Sequence, residues 1–301
     1  MFKCLLVSAL IVLLAGCQTT PTQVARTWEV PAGVKTMSVN GYDMAYIEKG
    51  TGTPIIFVHG AGGDYRNMAA QVDHFAPYYR AISVSLRHYY PEPWDGNGDF
   101  SLRQHVEDLI EFIKGLNAGP VHLVGHSRGG SATIYVASKA PSLIRSVVFA
   151  EGGRGIAAFT QADTGGADGR TTAYRSIAEK LRQGDREGAL EVFVTQVNGP
   201  GAWAKYAESN KQSLRDNAWT LIGGEKDIWD PLTCDDVGKI DRPFLLLGAD
   251  RSPPSFAQTL DKIQPCLRRA ERKLIRDSNH SMPRAAPAAF NDAIMEFIAK
   301  Y

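Results

Sequence analysis

The sequence predicts an α/β fold: a mostly parallel central sheet covered by helices on both faces, with a helical lid inserted late in the chain. Three observations carry that prediction. Short, continuously apolar runs recur at Pro54 to Val58, Ala81 to Leu86, Val121 to Val124, Ile144 to Ala150 and Phe244 to Leu247. A run apolar on both faces is what a strand buried between two helical layers requires. Segments of helical spacing alternate with these runs, and in Leu102 to Leu116 the apolar residues Val106, Leu109, Ile110 and Ile113 share one face. The alternation stops between about Gly153 and Asp236 and resumes near Gly238, which reads as an insertion in one large domain.

The core opens with a hairpin, Thr36 to Val39 and Tyr42 to Ile47, joined by Asn40-Gly41, a pair suited to a tight turn with positive φ. The strands at Pro54 and Ala81 follow, then a Pro-rich loop from Tyr90 to Gly98 and the helix from Leu102. The strand at Val121 runs through Gly125-His126-Ser127-Arg128-Gly129 into a helix from Ser131 to Ala140, and Ile144 to Ala150 is the next strand. The insertion carries helical patterns at Ala173 to Leu181, Gly188 to Val197 and Ala202 to Asn217, separated by joints such as Gly165-Gly166 and Asn198-Gly199-Pro200-Gly201. Strand Phe244 to Leu247, helix Phe256 to Ile263, strand Lys273 to Ile275 and helix Ala288 to Ala299 complete the chain. The division is a core of residues 36–152 and 237–301, with a lid of residues 153–236.

The N-terminus is a separate object. Lys3 gives a positive start, and Leu5 to Leu14 form an apolar stretch of secretory length, short for a membrane span. Leu14-Ala15-Gly16-Cys17 resembles the lipobox of bacterial lipoproteins, so residues 1–17 are expected to be a signal peptide with Cys17 the lipidated residue. By that resemblance, Gln18 in place of Asp implies sorting to the periplasmic face of the outer membrane. Residues 18–35, rich in Gln, Thr, Pro and Ala, read as a tether. Acyl chains would hold such a protein at a membrane without a spanning helix. Cys4 leaves with the signal, so Cys234 and Cys266 remain as an even pair in an oxidising compartment, and the sequence leaves open whether they are joined.

Charge excludes one class of partner. The formal net charge is +1, with 33 Lys and Arg against 32 Asp and Glu, and no basic stripe appears, which argues against nucleic acid. No phosphate loop, dinucleotide fingerprint or metal-ligand cluster is present, so no cofactor is implied. The expected ligand is a small molecule, and the sequence does not state an oligomeric state.

The chemistry centres on Ser127. In a strand-to-helix turn, glycines flanking a serine let the two elements approach closely and push its hydroxyl out beside a helix N-terminus. A serine hydroxyl needs a neighbouring base. Of seven histidines, His280 follows the last short strand, in Asp277-Ser278-Asn279-His280-Ser281-Met282-Pro283, at the same sheet edge as Ser127. His126 adjoins the serine and is expected to line or underlie the site. His122 lies within a strand, and His74, His88 and His105 have no motif around them.

The order of apolar strand, His59-Gly60 loop, Ser127 turn, inserted helices and late His280 resembles the α/β-hydrolase superfamily over residues 36–301. The resemblance implies acyl transfer by a serine, a histidine and a carboxylate, with an oxyanion hole from the backbone amides of Arg128 and, in the loop His59-Gly60-Ala61-Gly62-Gly63, Ala61. Family members usually carry the acid after the strand here at Phe244, where this chain reads Gly248-Ala249-Asp250-Arg251-Ser252-Pro253. Anchoring on Pro253 puts Ser252, which cannot balance an imidazolium, at the acid position. Other members carry the carboxylate after the strand following the nucleophile, which here is Glu151. Glu151 is favoured, with Asp250 as the alternative. Serine rather than aspartate at the turn argues against haloalkane dehalogenases and epoxide hydrolases. Arg87 could clamp a substrate carboxylate or pair with Asp95 or Asp99, and Phe193, Trp203, Tyr206 and Trp219 could line an acyl pocket or simply fill a core. The reading is a serine hydrolase, carboxylesterase-like, cleaving an ester or related acyl bond of a small apolar substrate. The alternatives are a carbon–carbon bond hydrolase with the same triad, or a non-catalytic envelope lipoprotein that binds a ligand.

Overall fold

The computed structural model describes residues 28–153, 169–224 and 231–301. The leader, Cys17, most of the tether and the Gly165-Gly166 joint lie outside the described residues.

Eight strands form one sheet: β1 (Lys35–Val39), β2 (Tyr42–Lys49), β3 (Pro54–Val58), β4 (Arg80–Val84), β5 (Val121–His126), β6 (Ile144–Ala150), β7 (Phe244–Ala249) and β8 (Ala270–Ile275). Their spatial order is β1-β2-β4-β3-β5-β6-β7-β8. The pairs β1/β2 and β2/β4 are antiparallel and the rest are parallel. The β1–β2 turn has positive φ at both Asn40 and Gly41 (48° and 74°), as its residue pair predicts.

Around the sheet lie α1 (Ala69–Phe75), α2 (Leu102–Leu116) and α3 (Arg128–Lys139), then the inserted helices α4 (Gly169–Arg182), α5 (Arg186–Asn198), α6 (Ala202–Lys205), α7 (Glu208–Asp216) and α8 (Thr220–Gly223). After them come α9 (Cys234–Gly238), α10 (Pro254–Ile263), α11 (Met282–Ala285) and α12 (Pro287–Ile298). One face of the sheet packs on α2, α3 and α10, and the other on α1 and α12. β3 shows why its run must be apolar throughout: Ile56 and Val58 enter the first core, Ile55 and Phe57 the second. The inserted helices keep a third core of their own, with Ile177, Leu190, Phe193, Leu214 and Leu221 at its centre. Cys234 and Cys266 are joined by a disulfide that ties the start of α9 to the segment after α10.

Three departures from the sequence expectation have physical reasons. α3 starts at Arg128, not Ser131, because Gly129 and Gly130 are helical and serve close packing. A Cβ on Gly129 would lie 2.2 Å from the Val58 carbonyl oxygen, and one on Gly130 3.1 Å from Gly152. The helix expected from Ala202 to Asn217 is broken at Tyr206 and Ala207, both extended, where the Tyr206 hydroxyl engages Asn198 and Ser281. The short helices α1, α8, α9 and α11 escaped notice because one or two turns carry too little periodicity to register.

Candidate active site

The parallel strands bring the candidate residues to one edge of the sheet. β5 delivers Ser127, its neighbour β6 delivers Glu151, and β3 on the other side leads into the His59–Gly63 loop. Ser127 has φ 54° and ψ −118°, a conformation that costs a side-chain-bearing residue about 1–3 kcal/mol. Its surroundings fix that strain in place. The Ser127 amide donates to the Ala150 carbonyl at 2.9 Å, and the Ser131 amide donates to the Ser127 carbonyl at 3.0 Å. The flanking glycines are steric necessities, since a Cβ on Gly125 would sit 2.3 Å from the Gly129 carbonyl oxygen.

The loop after β3 presses on the same serine. A Cβ on Gly60 would lie 2.9 Å from the Ser127 Cβ, so nothing larger than glycine fits there. His59 anchors the loop from beneath: the Leu86 amide donates to its Nε2 at 3.0 Å, so its Nδ1–H donates to the Gly60 carbonyl at 2.8 Å. Complete burial pushes His59 down to about 4, which keeps it neutral and this hydrogen-bond pattern intact. Ala61 and Arg128 both line the cavity at Ser127. Arg128 opens α3, so its amide lies at the positive end of the helix dipole. Its side chain turns inward instead, donating to His105 Nδ1 and to the Phe100 carbonyl.

His280 lies in the same cavity as Ser127 and is oriented on three sides. Its Nδ1–H donates to Glu151 Oε2 at 2.8 Å, with both side chains almost wholly buried. Phe256 stacks on the imidazole with ring centroids 4.0 Å apart, and His126 packs against it at 4.6 Å. The Nε2–H of His126 donates to the His280 carbonyl at 2.6 Å. Burial, with the neighbouring His280 second, pushes His126 down to about 3, so it holds the histidine loop as a neutral ring.

The structure brings Glu151, and not Asp250, to His280. Burial raises the Glu151 carboxyl above its ordinary value, opposed by two hydrogen bonds that favour the ionised form. The Ala249 amide donates to Oε1 at 2.8 Å and the Ser252 hydroxyl donates to Oε2 at 2.9 Å. Ser252, which the sequence set aside as unable to serve as the acid, thus donates to the carboxylate that meets His280. Asp250 is exposed and accepts from the Asp277 and Ser278 amides at 3.1 and 3.2 Å, and these bonds hold its carboxyl below the ordinary range. It shapes the loop leading to His280 without touching the imidazole.

Other expectations are corrected. Arg87 pairs with Asp108 through two bonds of 2.7 and 2.9 Å rather than with Asp95 or Asp99, because Asp108 on α2 projects beneath it. Trp219 is half-exposed and Trp203 packs at the edge of the third core, whereas Phe193 and Tyr206 do line the cavity. Sequence reasoning placed His126 at the site, where it lines the cavity, but passed over Ser252 and Phe256 as supports of the imidazole, since only the tertiary fold brings them together.

Ser127 stands where two lobes of the cavity meet, both bounded by Ala61, Phe193 and Val197. The lobe with more apolar side chains holds Tyr89, Phe100, Ile177, Leu221 and Phe256, beside the polar Gln196, Thr220 and Ser255. The other is polar and holds His280, with Asn67, Asn198, Tyr206 and Arg284.

A mostly parallel sheet with a serine turn, a glycine-rich loop and a histidine–carboxylate pair at one edge defines a hydrolase architecture. Residues 55–293 match the alpha/beta hydrolase family, and the chain belongs to it. It is 25% identical over 264 residues, 84% of this chain and 93% of the relative, to (E)-2-((N-methylformamido)methylene)succinate hydrolase of Acinetobacter baylyi. Solved structures share the fold at lower identity. An esterase from Exiguobacterium antarcticum superposes with a TM-score of 0.73 at 19% identity, covering 89% of this chain and 99% of that one. A thermophilic esterase from Thermogutta terrifontis gives 0.69 at 20%, covering 89% and 97%.

Proposed function

We propose that the protein is a serine hydrolase that cleaves an ester or related acyl bond of a small, largely apolar acyl compound through an acyl-enzyme. The observation that carries this reading is the strained Ser127 sharing a cavity with a histidine whose Nδ1 is fixed on a buried carboxylate. With Nδ1 protonated, His280 presents an unprotonated Nε2 as the base. Ser127 Oγ attacks the acyl carbon while His280 takes its proton, and the oxygen that becomes negative is held by the amides of Ala61 and Arg128. The carbon–oxygen bond of the ester then breaks, and His280 returns the proton to the leaving oxygen. Water repeats the sequence on the acyl-serine and releases the acid, restoring Ser127. Glu151 orients the imidazole and balances its charge throughout. Ser127→Ala is expected to lower p-nitrophenyl ester hydrolysis by about 10⁴-fold or more and to abolish fluorophosphonate labelling. Labelling or turnover that survives the change would overturn the reading.

The lipobox-like Leu14-Ala15-Gly16-Cys17 supports a second part of the proposal, attachment to the bacterial envelope through lipid on Cys17. Cys17→Ser is then expected to block processing and release the protein from the membrane fraction. Unchanged fractionation would refute it.

A further inference from the structure

Arg284 occupies an unusual place for an arginine. It sits on α11, four residues after His280, and is half-buried between the polar lobe of the cavity and an outer cleft shared with Lys205. The helix that carries it is fixed: Met282 and Pro283 are buried, and the Pro283 carbonyl accepts from Gln71 at 2.9 Å. The guanidinium lies 5.8 Å from the centre of the Tyr206 ring, whose hydroxyl is held by Ser281 and Asn198 at 2.7 and 2.8 Å.

Among the described residues lining the lobe and the cleft there is no aspartate or glutamate. Arg66, Arg80, Arg87 and Arg215, by contrast, each pair with a carboxylate. A guanidinium that gives up part of its hydration with no carboxylate among the described residues lining its cavity is poised to bind an anion, and Lys205 adds positive charge in the outer cleft beside it.

Direction follows from the proton transfer. His280 lines the polar lobe and not the apolar one, and the group that receives the Ser127 proton must hand it to the leaving oxygen. The leaving group therefore lies in the polar lobe and the acyl chain in the apolar one. Resting on the serine-hydrolase reading, we propose that Arg284 binds a carboxylate on the leaving group. The substrates are then esters of apolar acids with carboxylate-bearing alcohols or phenols.

The test uses the full-length protein with 4-(butanoyloxy)benzoate and methyl 4-(butanoyloxy)benzoate, and follows cleavage of the butanoyl ester, where the two differ in the charge of the leaving phenol. The readout is the ratio of their kcat/KM values. The wild type is expected to favour the carboxylate, and Arg284→Met to cut that ratio by about 10- to 100-fold, the range of one charge-assisted hydrogen-bonded contact. Arg284→Lys, which keeps the charge without the fork, should fall between them, and added salt should shrink the wild-type preference. A ratio that does not move in Arg284→Met, or a wild type that favours the neutral ester, overturns this inference. The two readings fail separately: release of the phenol from the neutral substrate that survives Ser127→Ala sinks the hydrolase mechanism, whereas Ser127-dependent release with an unmoved ratio sinks only the role of Arg284.

Discussion

At the scale of single residues, the site separates two acids that sequence alone leaves in competition. Glu151 is buried against His280 and accepts two further hydrogen bonds, while Asp250 caps backbone amides at the surface. In the proposed mechanism Glu151→Gln keeps the volume but removes the charge set against the imidazolium, and the expected fall in kcat is about 10²- to 10⁴-fold. Asp250→Asn keeps one acceptor oxygen for one of the two amides, and position 250 does not touch the imidazole, so kcat should change by less than about tenfold. Kinetics on one p-nitrophenyl ester decide the matter, and a larger loss in Asp250→Asn would reverse the assignment. Ser127 and Glu151 were legible because each follows an apolar strand run, and the resemblance to α/β-hydrolases pointed to Glu151 and to the late His280 as the partners of Ser127. Ser252 and Phe256 were not, because a hydroxyl donating to Glu151 and a ring stacked on His280 leave no spacing in the chain. The same holds for the partner of Arg87, which lies on a helix too far along the chain for any local pattern to reveal.

At the scale of elements, the inserted helices are fastened to the core by polar groups that no periodicity announces. Asp64 follows the Gly60–Gly63 loop and is fully buried. It receives two bonds from the Arg66 guanidinium, at 2.9 and 2.7 Å, and one from Asn217 Nδ2 at 2.7 Å. Asn217, just past α7, also accepts from the Tyr90 amide through Oδ1 at 2.8 Å. One asparagine thus stitches the insertion to two core loops, one of which carries the Ala61 amide. Asn217→Ala leaves buried partners unsatisfied and is expected to lower stability by about 1–3 kcal/mol. Hydrogen exchange should quicken in residues 202–224 while β5 and β6 stay protected; uniform exchange across both regions would show that the stitch does not act locally. Long strands and α2 were readable to within a residue or two because burial on two faces, or on one helical stripe, imposes a pattern. The break between α6 and α7 was unreadable because it answers to a tertiary bond at Tyr206.

At the scale of the whole molecule, acid sensitivity follows from how many histidines the fold buries. His59 and His122 are pushed down to about 4 and His126 to about 3, burial being the largest cause in each, and His105 is also pushed well down by burial. An unfolded histidine titrates near pH 6.5, so between that pH and the depressed folded values the unfolded chain binds protons that the folded chain refuses. Stability is therefore fully present above about pH 6.5 and is lost as the pH falls toward 4, each histidine contributing at most about 1.4 kcal/mol per pH unit. Glu151 works the other way. Its raised value means that acid relieves the cost of burying its charge, but it is one group against four. Thermal melts should show a Tm that is nearly flat above pH 7 and falls steeply between pH 6 and 4. His122 isolates the cause, because its ring faces Ser146 at 2.8 Å and lies outside the cavity that holds Ser127. In His122→Gln one titrating group is gone, so the fall between pH 6 and 4 should be shallower than in the wild type whatever the change in Tm at pH 7. Parallel curves for the two proteins would mean that the acid sensitivity arises elsewhere than in the buried rings.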